Sequence, residues 1–457
     1  MHRLKPTLQF YAWGKTGTNS EVANLFAAGD EDGGTAVEQN QTYAELWMST
    51  HPKAPCKMFE TNESLPEWLH KHSDVIGPAL AAKLQQQRNE LNGTPSVIDL
   101  PLLFKVLSVN KSLSLQVHPT KEQAAVMHEA DPTNYADANH KPEMAIALTP
   151  FEMMCGFRPA DEIYENIKST PELFELVGDD AFLELEDCVR QVREDKDIDV
   201  VRACAALKMC FSSFVQQPDA IIQRNVHALA DRMALKAKSE KETCANADEL
   251  HDNPICVMAE LLTRLNHHFP GDIGVFAPLF LNHFVLQPGE ACYLGPNEPH
   301  AYLFGDCIEC MACSDNTIRA GLTPKYKDIQ RLCDCLTYRM SPVDANKYPA
   351  TQHPDDLFVS IYAPECPEFV VHRINIPKPG PYTMLPISTC SFLIVIEGTA
   401  EYTTKSNPKA TKISRGHVML VEADGSEFGT VVLDVQTQPF VAYRAFTPED
   451  KLNDLKL

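Results

Sequence analysis

Leu102-Leu-Phe-Lys-Val-Leu-Ser-Val109 and, one short turn later, Leu113-Ser-Leu-Gln-Val-His118 decide how this chain is read. The first run is apolar almost throughout and too short for a helix of its own, which makes it a buried strand. The second alternates strictly, with Leu113, Leu115 and Val117 on one face and Ser114, Gln116 and His118 on the other. Such a strand usually has nothing more than a wet side. Further on, Tyr135-Ala-Asp-Ala-Asn-His-Lys-Pro-Glu143 is short, polar and set between apolar stretches. Pro142 fixes its own φ and keeps Lys141 out of the helical region, so Lys141 and Glu143 project to the same side of an extended backbone. Taken alone, the stretch also fits a solvated loop.

Upstream, Leu8-Gln-Phe-Tyr-Ala-Trp-Gly14 is aromatic and ends at a turn residue. Leu65-Pro-Glu-Trp-Leu-His70 is expected to be a helix, with Ser64 as cap and Pro66 in the first turn. Gln85 to Asn92, polar and followed by Gly93-Thr-Pro95, is expected to be a surface loop. From Arg158 to Ile273 the apolar period becomes helical. Thr170 caps a helix opening at Pro171, Leu207, Phe211 and Phe214 share one face, and Asn253-Pro254 starts a helix that Pro270-Gly271 stops. Lys236 to Glu249 is expected to be a loop between helices. Strand patterns resume at Gly274-Val-Phe-Ala-Pro-Leu-Phe280 and run through Phe284–Glu290 and Cys292–His300 to Leu303. Short strands punctuated by Pro and Gly suggest a jelly roll. The pattern repeats from about 351, with Phe392-Leu-Ile-Val-Ile-Glu-Gly398 and Arg415-Gly-His-Val-Met-Leu-Val421. No histidine stands there in the place of His300, so this second copy is expected to be metal-free and kept for packing. The expected division is 1–157 with 274–350, a helical unit at 158–273, and a C-terminal unit at 351–457.

At 457 residues the chain exceeds one ordinary core. Its apolar fraction of 44% and charged fraction of 22% are those of a soluble globular protein. A net charge of −22 argues against nucleic acid or an acidic membrane surface as main partner. The 15 cysteines are odd in number and scattered, and Met1-His-Arg-Leu-Lys-Pro-Thr7 has no apolar signal core. No apolar run approaches the roughly 18 residues of a membrane span. These features predict a cytoplasmic protein with free thiols.

Gln116 and His118 on one strand face, Glu143 and the distant His300 form a candidate donor set for zinc or another borderline divalent ion. Spacing alone does not bring His300 to His118. Cys307-Ile-Glu-Cys310-Met-Ala-Cys313 with Cys333-Asp-Cys335 competes as a thiolate site. On a strand, however, Cys307, Glu309 and Met311 face one way and Cys310 the other, which favours buried thiols instead. Arg319 and Lys325, on Gly- and Pro-punctuated backbone, suit a phosphate clamp, an oxyanion stabiliser or a plain surface loop.

Together, Tyr135–Glu143, Tyr11-Ala-Trp-Gly-Lys15, Ala44-Glu-Leu-Trp-Met48 with Thr50-His-Pro52, Ser112–Pro119, and Pro299-His-Ala-Tyr302 with Glu309 and Ser314-Asp-Asn316 through Lys325 resemble the type I phosphomannose isomerases. The likeness runs in order to about residue 328 and weakens beyond 351. Ser49 departs from the glycine often found there in the family. The resemblance implies a mainly β chain with an α-helical insertion: two cupin-like jelly-roll domains plus a helical domain. It implies one zinc per chain, held by Gln116, His118, Glu143 and His300. It also implies interconversion of mannose 6-phosphate and fructose 6-phosphate through a cis-enediol, feeding GDP-mannose synthesis in a monomer. Arg319 would stabilise the developing charge, and His140 would open the sugar ring. Lys141 or Glu309 would move the carbon-bound proton. Ser114 and Lys325 would contact phosphate or hydroxyls, with Trp13 and Tyr302 lining the pocket. Two other classes compete. An iron cupin dioxygenase usually wants three histidines, and a non-catalytic sugar-binding cupin has no use for His140, Lys141 and Arg319.

Overall fold

The computed structural model describes residues 1–30, 36–90, 98–193, 200–243, 253–405, 407–424 and 430–455. Leu102–Val109 is a strand buried along its whole length. It lies antiparallel between Glu45–Met48 and the long strand His300–Ala312. The latter belongs to both faces of a roll. Residues from Gly305 onward pair with Leu102–Val109 and with Glu143–Ala147, while the His300 end pairs with Phe151–Phe157 and with Gln116. The switch is made at Gly305, whose φ is +120°. A Cβ there would lie 2.5 Å from the Pro150 carbonyl oxygen, so only glycine turns this corner.

The smaller sheet of this roll comprises Phe151–Phe157, Leu281–Leu286, Leu115–Val117 and Ile318–Gly321 with the His300 end of the long strand, and helices from Ala160–Ser169 to Pro254–His268 pack on its outside. Leu207, Phe211 and Phe214 share one core with Leu115, Val117, Ile318 and Ala320. The apolar half of the Leu113–His118 alternation is therefore covered by helices, which turns its polar half inward. The C-terminal roll sets an eight-stranded sheet against a four-stranded one. The first sheet includes Ser391–Glu397 and Val418–Val421, and the N-terminal strand His2–Lys5 pairs with the latter. Phe392, Ile394, Leu420 and Tyr443 of this sheet meet Phe104, Val106, Met144 and Ile308 of the first roll in one shared core.

Three expectations need correction. Gln85 to Glu90 continues the helix Pro78–Glu90, because Leu80 and Leu84 bury one stripe while Gln85 and Gln86 are exposed. Lys236 to Thr243 likewise extends the helix Asp219–Thr243, whose Ile222, Val226, Leu229 and Met233 form the buried stripe. The rest of both predicted loops lies outside the described residues. Gly274–Phe280 is not a strand but a 3-10 turn running into a short helix, with Asp272 Oδ1 accepting from the Gly274 amide at 2.7 Å. A short apolar run without periodicity fits either state, and the cap decided it. The helices at Leu65–Lys71, Pro171–Val177 and Pro254–His268 form where their caps and prolines place them.

Candidate metal centre and active-site cleft

Cross-strand pairing builds the site. On the smaller sheet, Gln116 of the strand Leu115–Val117 pairs with His300 on one side and with Arg319 of the strand Ile318–Gly321 on the other. Residues directly opposite each other point to the same face, so Arg319, Gln116 and His300 stand in one row. His118, two positions on, shares that face. Glu143 enters at the start of the strand Glu143–Ala147.

Glu143 Oε2 lies 3.3 Å from His118 Nε2 and 3.5 Å from His300 Nε2. All three residues are buried, and among the described residues they are the group whose donor atoms converge in this way. Each imidazole is oriented from behind: His118 Nδ1 donates to the Asn316 carbonyl at 2.8 Å and His300 Nδ1 to the Glu298 carbonyl at 3.0 Å. A carbonyl only accepts, so the ring protons sit on Nδ1 and both Nε2 atoms face the cluster. Burial pushes the His118 pKa down to about 4, which keeps that ring neutral at pH 7. Burial alone would raise the Glu143 pKa, but the Lys141 ammonium beside it outweighs burial and the carboxyl is held well below its usual range. Gln116 Nε2 stands 3.4 and 3.3 Å from the two imidazoles, while Ser114 Oγ donates to its Oε1 at 2.8 Å. A half-turn of that amide presents oxygen instead. Imidazole lone pairs and a carboxylate aimed at one point repel unless a cation lies between them, so this donor set fits a divalent metal.

Lys141 Nζ lies 3.1 Å from Glu143 Oε1, on the same side of the extended segment. His140 is not brought to the cluster. Its Nε2 lies 2.6 Å from Glu368 Oε1, on the C-terminal roll. The opposing sheet carries a second row, Glu309, Lys105 and Trp47, paired across three strands. Lys105 Nζ is buried 2.9 Å from Glu309 Oε2 and 3.4 Å from Glu45 Oε2, with the Trp47 ring 5.2 Å away. Desolvation would lower the Lys105 pKa, yet the two carboxylates raise it; burial raises that of Glu309.

Arg319 and Lys325 have no ion-pair partner among the described residues, and burial lowers the pKa of both. Lys325 is lowered further by Arg319 and Lys141. Such cations, in a chain of net charge −22, have the chemistry to receive an anion. Tyr302 is buried between Phe151 and His300, while Trp13 flanks the same core and stacks on Tyr11. Ser49 is buried and accepts from the His51 amide at 3.0 Å, so the hydroxyl has a local use. Cys307 and Cys310 face different cores and Cys333 lies among the helices, so no thiolate site forms from them.

The descriptions that match this chain are phosphomannose isomerase type I, catalytic domain, over residues 1–160, and helical insertion domain over 176–281. It is 40% identical to the mannose-6-phosphate isomerase of Bos taurus, over 93% of each chain. The chain belongs to the type I phosphomannose isomerase family. The family's Candida glabrata member is 37% identical over 97% of this chain and 98% of its own. A solved mannose 6-phosphate isomerase bound with zinc and yttrium aligns at a TM-score of 0.73, 25% identity, and 98% and 99% coverage. The fold of two jelly rolls with a helical insertion is thereby established for the chain.

Lys105 and Glu45 escaped the reading of the sequence. The signal was present: a lysine in the middle of an otherwise apolar strand demands a buried counter-charge.

Proposed function

We propose that this chain interconverts mannose 6-phosphate and fructose 6-phosphate through a cis-enediol, with one zinc ion per chain, and so supplies precursor for GDP-mannose synthesis. The observation that carries this reading is the convergence of His118, Glu143 and His300, with Gln116 beside them and Arg319 in the same cross-strand row. Those residues would hold zinc, which when bound supplies Lewis acidity toward the sugar oxygens. Support for zinc comes from the donor set itself and from the zinc-bound relative.

The chain's own side chains do the rest. Arg319 faces the negative charge that develops as the carbon-bound proton leaves, and its guanidinium stays protonated throughout. Lys141 moves that proton between the adjacent carbons. Glu309 is the weaker candidate, because Lys105 already holds its carboxylate at 2.9 Å. Lys325 and Ser114 receive the phosphate or neighbouring hydroxyls, and Tyr302 and Trp13 exclude water from the cleft. The protein acts as a monomer in the cytoplasm, built as 1–157 with 274–350, 158–273 and 351–457; no described helix is long and apolar enough to cross a membrane. The test is turnover of mannose 6-phosphate before chelation, after it, and after zinc is returned. Activity lost and then restored is expected. A folded, zinc-loaded protein without turnover overturns the reading in favour of a sugar-binding cupin.

A further inference from the structure

Glu368 lies in the C-terminal roll, in the region where the sequence offered no chemistry. It is 1% exposed, and its Oε2 has no hydrogen-bond partner among the described residues. A carboxylate so placed has lost its water and kept a single strong contact, the 2.6 Å one to His140 Nε2. Its loop is held rigidly. Tyr348 and Lys451 donate to the carbonyls of Ala363 and Pro364 at 2.6 and 2.7 Å, and Thr447 Oγ1 donates to the Glu368 carbonyl at 2.9 Å. Phe369, next in sequence, is fully buried in the core shared by the two rolls.

The partner segment is held from its other side. Asn316 Nδ2 and Ser314 Oγ donate to the Asn139 carbonyl at 2.9 and 3.1 Å, and the Ala312 amide donates to the Pro142 carbonyl at 3.2 Å. Between these anchors, successive side chains of the extended backbone alternate in direction. Lys141 turns toward Glu143 and His140 turns away, into a surface cavity of about 310 Å³ that it shares with Glu368, Pro367 and Pro296.

From this geometry we propose that Glu368 is a positioning residue for Lys141, acting through His140. The C-terminal roll thereby fixes the direction of an active-site amine it never touches. The inference rests on Lys141 being part of the reaction, as argued above. His140 serves as an anchor, not as a proton donor to sugar.

The test compares Glu368→Ala, Glu368→Gln, His140→Ala, His140→Gln and the double alanine variant in the zinc-loaded protein. It reads kcat, KM for mannose 6-phosphate, zinc content and Tm. A misplacement near 1 Å costs on the order of 100-fold in rate, so kcat should fall about 10- to 100-fold in either alanine variant, with KM and zinc content unchanged. The double variant should be no worse than either single one. His140→Gln keeps a donor where Nε2 stood but cannot titrate, and should retain most of the activity. Wild-type kcat in a folded Glu368→Ala protein overturns the proposal. So does full multiplication of the two alanine effects, or a His140→Gln enzyme as slow as His140→Ala, which would assign proton chemistry to the imidazole. If Glu368→Ala does not fold, Glu368→Gln and His140→Gln still decide. Failure of the functional reading shows separately, as absence of turnover in the zinc-loaded wild type, and failure of the role given to Lys141 as near-full turnover by Lys141→Ala.

Discussion

Replacing Lys105 with Met keeps the length of the side chain and removes its charge. The ammonium lies 2.9 Å from Glu309 and 3.4 Å from Glu45, in a setting where the lysine side chain is 8% exposed. Breaking a buried pair by removing one partner costs about 3–5 kcal/mol, because the charge left behind has neither water nor partner. That cost has a ceiling. Glu309, already raised by burial, can take up a proton, and neutralising a carboxyl with a reference pKa near 4.3 costs about 1.4 kcal/mol per pH unit above that value. At pH 7 the ceiling is about 3.5–4 kcal/mol, so a loss of about 3 kcal/mol is expected. The sign of the pH dependence follows. In the variant, native Glu309 binds a proton that the unfolded chain releases, so the variant loses stability relative to wild type as pH rises. The deficit should widen by up to about 2.8 kcal/mol between pH 6 and pH 8. Urea unfolding of both proteins at the two pH values measures it. A deficit below about 1 kcal/mol at pH 8, or one that does not change with pH, refutes the assignment of this buried network.

Three further outcomes are expected. Arg319→Ala should lower kcat about 100-fold or more while zinc content by metal analysis stays at the wild-type level, and Arg319→Lys should recover only part of the rate. Gly305→Ala should destabilise the fold by at least about 1–3 kcal/mol in the same unfolding assay, since a Cβ at φ +120° would meet the Pro150 carbonyl oxygen at 2.5 Å. Burial, with help from Arg444, pushes the His372 pKa down to about 3. The unfolded chain then protonates first as pH falls below about 6.5, so roughly 2 kcal/mol of stability should disappear between pH 8 and pH 5. That slope should be missing from a folded His372→Asn variant.

The sequence was legible where chemistry followed backbone period. Gln116 beside His118, and Lys141 beside Glu143, are pairs two positions apart on extended chain, and the structure sets each pair on one face. What brings His300 and Arg319 to either side of Gln116 is strand pairing between segments far apart in sequence, which no local pattern encodes. Lys105 carries a local mark, its charge within an apolar strand, but the partner that answers it, Glu309, comes 204 residues later. Glu368 lies where the family likeness fades, and its only mark is burial. Some helices were missed although their signals were present. Thr120 and Gln123 form a reciprocal capping box at the start of the helix Lys121–Ala130, and that spacing stands in the sequence. The polar ends of two other helices were misread as loops because one buried stripe suffices to hold a helix whose remaining faces are wet.

The helical insertion and the candidate metal centre share a wall only one strand thick. Leu115 and Val117 are buried in the helical core, while Gln116 and His118 of the same strand face the donor cluster. Free energy supplied on one side of that wall is therefore available on the other. A metal bound by His118 should slow amide hydrogen exchange in helices that never approach it. By the same linkage, a lesion anywhere in the helical core should surface as weakened metal affinity, so damage to the insertion would mimic a shortage of the metal.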